Sequence, residues 1–322
     1  MGELLTYTIA GGGFILIGGW EAILSSSETL KSPDTSDDSS SKSHSLTFLF
    51  ISLLSFFFIV NSFFSLFDAL NLDDHTGLVL QLEVISIAAL FLLYSVLGFL
   101  NHVKRSPFSF PLPLLSLLCL FAFVEEFIMF YLQKKDPIGI ENRYFDLLLV
   151  PISVCVFATM LELKNPDSGF PRLGRAIGLI LHGMWFVQMG ISFFSDLIVH
   201  GCNLHEKSRG NFTIRCKGHP EYHRGKAIAT LQFNCHLALL VAFVVGAYAV
   251  VCKKHGVRKE STRYRPIGAE MLQMDSTAQF TLDSDDEGDE IENKIKNDAM
   301  IPMHKALTVV QDVGANGYGS RH

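Results

Sequence analysis

Charge is what this sequence has least of. Of its 322 residues only 18% are Asp, Glu, Lys or Arg, against about 25% in soluble domains. The mean hydropathy is +0.31. The deficit is concentrated in four uncharged runs: Leu46–Phe67 of 22 residues, Ala227–Cys252 of 26, Ala176–Ser195 of 20 and Val84–Asn101 of 18. An apolar run of about 18 or more residues rises far enough, at about 1.5 Å per residue, to cross a hydrocarbon core of about 30 Å. A soluble protein buries one such helix, not four, so the scarcity of charge excludes an ordinary soluble domain. The net charge of -6 leaves no basic footprint for nucleic acid, and no nucleic-acid partner is expected.

Several catalytic signatures are missing as well. There is no Walker A loop, no GxSxG elbow, no HExxH, no HxxxH within an apolar run and no pair of transmembrane aspartates. No repeat of two equal halves is evident, which counts against a carrier built from repeats. The sequence therefore supplies neither a ready-made catalytic centre nor a cofactor site.

What is present is an all-α polytopic membrane protein. Three weaker runs join the four: Leu4–Trp20, which is Gly-rich; Phe110–Gln133, interrupted by Glu125 and Glu126; and Leu147–Leu161, which contains Pro151. Helices satisfy their own backbone in lipid, so a bundle of seven transmembrane helices is expected at about 4–24, 45–67, 77–100, 110–133, 144–163, 173–199 and 226–252. No basic segment precedes the first, so it reads as a retained helix rather than a cleaved signal. Residues 24–45, rich in Ser, Asp and Thr, read as a flexible loop. Residues 253–322 read as a disordered cytoplasmic tail that opens on Lys253, Lys254, Arg258, Lys259, Arg263 and Arg265. That basic group suits anionic lipid or simple positive-inside anchoring. Cys252 is a candidate for palmitoylation and Ser284, in its acidic setting, for phosphorylation.

Orientation follows from the basic residues. With the N-terminus outside, the cytoplasmic segments hold thirteen Lys and Arg and the outer ones nine. Asn211-Phe212-Thr213 is a glycosylation sequon, and Cys202 and Cys216 flank it at a spacing compatible with a disulfide; both features belong on the lumenal side. The same loop carries His200, His205, His219 and His223. The last two are four apart, but Pro220 lies between them and no zincin glutamate accompanies them, so solvated loop histidines are the expectation and a metal site is the lesser reading.

The polar residues inside the runs are the candidate site, because ionisable groups at depth are costly. Glu125 and Glu126 lie about 15 residues into the fourth helix, about 22 Å deep. Glu83 enters the third helix, and His182 and His236 fall near mid-membrane in the sixth and seventh. Gln232 shares a face with His236; Trp185, Gln188 and Ser192 form a stripe beside His182. One reading is an internal chamber in which a carboxylate of the fourth helix pairs with His182 or His236 to handle a proton or a metal. The other is hydrogen bonding between helices, worth about 0.6 kcal/mol per contact. Adjacent glutamates diverge by about 100°, so only one of Glu125 and Glu126 faces the centre. Glu21 and Glu162, near cytoplasmic helix ends, are accounted for by snorkelling or capping. Gly11 and Gly18, seven apart on one face of the first helix, suit close packing.

The stretches GGGFILIGGW, VEEFIMFY, MLELKNP, HGMWFVQMGISFF and FNCHLALL resemble the transmembrane protein 45 family, also described as domain of unknown function 716, and most of all its plant branch. The resemblance runs from the first helix, where Trp20 ends GGGFILIGGW, to the seventh. The family pattern in the sixth helix is Gln-Gly-Thr-Trp-Phe-x-Gln-x-Gly, matched here by Gly183, Trp185, Phe186, Gln188 and Gly190. Glu125 stands at the family's acid of the fourth helix, Glu162 at the acid closing the fifth, and His236 at the histidine of the seventh. His182 replaces the usual glutamine, and Leu132 stands where many members carry histidine. A histidine typical of the third helix is not evident, Glu83 lying nearby. The resemblance implies a seven-helix membrane fold and no agreed activity. A non-enzymatic interaction or regulatory protein of the endomembrane system or cell surface is the first expectation. A proton- or metal-coupled transporter using Glu125, Glu126, His182 and His236 is the second, and an intramembrane metal-dependent hydrolase the third.

Overall fold

The computed structural model describes residues 2–30, 38–102, 110–133, 139–166, 168–195, 200–208 and 211–254. The chain divides into Met1–Arg258 and Lys259–His322. The second unit lies wholly outside the described residues, as do the expectations placed on the tail.

Among the described residues seven helices form: α1 Gly2–Leu30, α2 Asp38–Asn71, α3 His75–His102, α4 Leu112–Leu132, α5 Glu141–Lys164, α6 Gly169–Phe194 and α7 His219–Lys254. Each is long and apolar enough to cross a membrane. The chain has the all-α, multi-pass seven-helix fold expected of it. Three boundaries need correction. The expected loop at 24–45 is helical on both sides: α1 continues to Leu30, just short of Pro33, and α2 starts at Asp38, within a run of residue types favoured at helix starts. α6 ends at Phe194 rather than Val199. α7 starts seven residues early because Pro220 sits in its first turn, where the missing N–H costs nothing.

The loop before α7 is not irregular. Strands β1 Cys202–Ser208 and β2 Asn211–Cys216 pair antiparallel, Cys202 opposite Cys216, and a disulfide joins the two. Buried Glu141 holds this hairpin to the head of α5: its carboxylate accepts the Thr213 hydroxyl at 2.6 Å and the Ile214 N–H at 2.7 Å. Between α2 and α3 the turn is equally tight. Asp73 takes a left-handed conformation (φ 54°) and the Asp74 carboxylate accepts the Gly77 N–H at 2.9 Å, capping α3.

The helices pack as a closed ring. Each of α1 to α6 lies against the next, and α6 returns to α1 in the most extensive interface of the bundle. That last contact is antiparallel, and glycines bring the two backbones close along it. Gly11 meets Gly183, Gly18 meets Ala176 and Ile180, and Gly190 meets Tyr7, so each helix sets glycines seven apart against the other. Lipid offers no hydrophobic drive between helices, and close backbone approach supplies dispersion instead. α7 stands outside the ring, touching α5 and α6.

Candidate functional site

α4 and α6 bring one carboxylate and one imidazole together inside the ring. Glu126 is buried and Glu125 half-buried, as the angle between adjacent helical positions requires. The His182 Nε2 lies 3.5 Å from Glu126 Oε1, longer than the 2.7–3.2 Å of a good N–H···O bond. His182 is 0% exposed and stacks on Phe14, ring centres 4.4 Å apart. Among the described residues, both of its ring nitrogens, Glu126 Oε2 and the nearby Gln133 Oε1 have no hydrogen-bond partner. An unpaired buried polar atom costs about 1–3 kcal/mol, so the arrangement is expensive as it stands. A cavity of about 180 Å³ adjoins it, with Glu126, Gln133, Gln81, Asn61 and Tyr7 in its wall. Its size suits about six waters at about 30 Å³ each.

The other expected polar residues gather elsewhere. Gln188 Nε2 donates to Ser192 Oγ at 3.0 Å on the same helix, Ser192 faces the Tyr144 hydroxyl, and that hydroxyl donates to Gln232 Oε1 at 3.2 Å. This polar line ties α6 to α5 and α7. Trp185, fully buried, does more than fill space: its Nε1 donates to the Tyr144 carbonyl at 2.9 Å, and its indole stacks on the Tyr144 ring. His236 bonds its own helix at Gln232 O, 2.7 Å, and meets Trp185 edge-on. It does not pair with a carboxylate of α4, because α7 is outside the ring. Glu83 is half-buried on α3, and neither it nor Glu125 lines the cavity.

Reading Glu21 and Glu162 as snorkelling or capping residues is corrected. Arg175, in the first turns of α6, is 7% exposed and bonds both Glu21 of α1 and Glu162 of α5. Arg172 holds Glu162 at 3.2 Å. The signal was available: three ionisable residues end or begin apolar runs on one membrane face. Trp20 is half-buried one residue before Glu21, while Phe186 is buried against Phe14 and His182. His219 and His223 lie in the first turn of α7 with Nε2 atoms 3.2 Å apart, both exposed. Among the described residues no three His, Cys, Asp or Glu are placed to hold a metal.

The model of a family described as a Family of unknown function (DUF716) matches residues 112–249. This segment, from α4 into α7, belongs to that family. The match is consistent with the transmembrane protein 45 family. No curated protein matches it. The DUF716 match spans α4 to α7 and so includes Glu126, His182, Trp185, Tyr144, Arg175 and the disulfide-closed hairpin, whereas Phe14 and Glu21 reach these groups from α1.

Proposed function

We propose that this DUF716 protein is a non-enzymatic carrier that holds a proton between Glu126 and His182 and couples its movement to a small hydrogen-bond-donating solute in the adjoining cavity. The observation that carries this is the set of unpartnered acceptors, Glu126 Oε2 and Gln133 Oε1, on a cavity wall inside the ring. A donor-bearing guest would satisfy both and offset their desolvation. Of the two leading sequence expectations, the geometry favours the transporter over a pure interaction role; the metal-dependent variants have only the Glu126–His182 pair to build on. In reconstituted vesicles, a proton gradient should drive proton flux through the wild-type protein that Glu126→Gln abolishes. Equal flux in both, or none in either, rejects the carrier and returns the interaction reading to first place.

The protein belongs, on this reading, to the secretory pathway or the cell surface, with its N-terminus outside and the tail in the cytoplasm. The Cys202–Cys216 disulfide, stable in oxidising compartments, supports that side for the hairpin. Glycosidase-sensitive mobility that Asn211→Gln removes is the expected result; glycosylation of a sequon placed in the tail would reverse the orientation. The basic segment after α7 would then lie against anionic lipid.

A further inference from the structure

The Glu126 cavity is the first of three that follow one another through the ring. The second, about 60 Å³, shares Phe14 and Phe91 with it and reaches Cys119, Tyr94, Glu21 and Arg175. The third, about 360 Å³, shares Tyr94, Glu21 and Arg175 with the second and adds Glu162, Arg172 and Ser116. One stripe of α1 follows the whole series. Tyr7, Phe14 and Glu21 are seven residues apart and therefore on one face; Tyr7 lines the first cavity, Phe14 the first and second, Glu21 the second and third. Two barriers divide the series. The first is aromatic: Phe14 stacked on His182, with Phe91 edge-on to Phe123. The second is ionic, Arg175 held by Glu21 and Glu162 and so locking α1, α5 and α6 together.

The geometry points to a single path for a small cation, running from the Glu126 cavity along this stripe of α1, with the Glu21–Arg175–Glu162 cluster as its gate at the end where α1 finishes. This deepens the carrier reading and rests on it. Carboxylates stand at both ends, Glu126 in the first cavity and Glu21 and Glu162 in the last. A cation arriving at the gate competes with Arg175 for Glu21 and Glu162, which links passage to release of the lock. The middle cavity, at about 60 Å³, is the smallest of the three, and methylammonium is a small cation with which to probe the path.

Cys119 is a native reporter, since it is buried and lines the middle cavity, whereas buried Cys155 lines none of the three. The experiment uses full-length protein in vesicles with Cys235 and Cys252 replaced by Ser. A charged methanethiosulfonate is added from the face where α1 ends. Glu162→Gln, and independently Glu21→Gln, should raise Cys119 labelling roughly tenfold or more, as expected when a gate open about 0.1–10% of the time is released. Cys155 should stay unlabelled, and methylammonium should slow the Cys119 reaction. Ser116→Cys, in the third cavity, should label in every background and reports a folded protein with an open vestibule. Cys119 labelling that neither variant raises, while Ser116→Cys reacts, overturns the path. So does Cys155 labelling that rises in parallel, and an absence of methylammonium protection overturns the cation. Labelling requires no turnover, so a protein that labels as expected but moves no protons rejects the carrier and leaves the path intact.

Discussion

Gly11 and Gly183 face each other so closely that neither position has room for a side chain. A Cβ on Gly11 would lie 2.5 Å from the Gly183 carbonyl oxygen, and a Cβ on Gly183 would collide with the Gly11 carbonyl and come within 2.8 Å of the Ile15 side chain. The obstacle is backbone, which cannot rotate aside as a flexible side chain would. Gly183→Ala should therefore separate α1 from α6 and cost about 1–3 kcal/mol, the range for overpacking. Gly12→Ala, where a Cβ meets nothing within 4 Å, should be near neutral. Thermal denaturation in detergent, followed by monodispersity, compares the two; equal loss would mean that the close approach is not sustained.

The same interface carries the ion cluster, and its loss should be more severe. Arg175→Met leaves Glu21 buried without its cation, and breaking a buried pair from one side costs about 3–5 kcal/mol. Combining Arg175→Met with Glu21→Gln should recover part of that loss, because the double variant no longer buries the unpaired Glu21 charge. Additive losses in the same denaturation assay would show that the pair is not coupled.

Glu141 gives a test at the opposite end of α5. Glu141→Ala removes both acceptors of the buried Thr213 hydroxyl and the Ile214 N–H, at about 1–3 kcal/mol for each orphaned group. The hairpin should detach from α5 while its disulfide persists. Limited proteolysis should then cut within 202–216 and, without reductant, leave the fragments joined. Protection equal to wild type would locate the anchor elsewhere.

In the polar line between α5, α6 and α7, the links should rank by what each deletion leaves behind. Trp185→Phe removes the indole N–H that the Tyr144 carbonyl accepts and leaves a void in the core, so it should destabilise most. Tyr144→Phe breaks the bond from α5 to Gln232 of α7, at about 0.6 kcal/mol for an average interhelical contact, and Gln188→Leu breaks the bond to Ser192 within α6. Gln188→Leu should still exceed Ile191→Ala, whose side chain is only half-buried. Melting midpoints in one detergent order the four, and a Trp185→Phe protein as stable as wild type would refute the ranking.

The seven spans were legible in the sequence because lipid imposes a local rule: about twenty apolar residues, with every backbone group satisfied within the segment. Gly11 and Gly18 advertised a tight interface for a similar reason, as did the Glu125–Glu126 divergence, since both depend only on the pitch of one helix. The hairpin was half legible: NFTIRC alternates like a strand, but its short length and the four histidines nearby drew attention to side-chain chemistry instead of backbone pairing. What no single helix encodes is which neighbour it faces. The closed ring of α1 to α6, with α7 outside, was decided by tertiary packing alone. That arrangement gave Glu126 to His182, left His236 with its own helix, and set Arg175 in a buried triad with Glu21 and Glu162. The partner of a polar group in lipid is set by helix order around the bundle, a long-range property, whereas its need for a partner is set by its own desolvation, which the sequence already states.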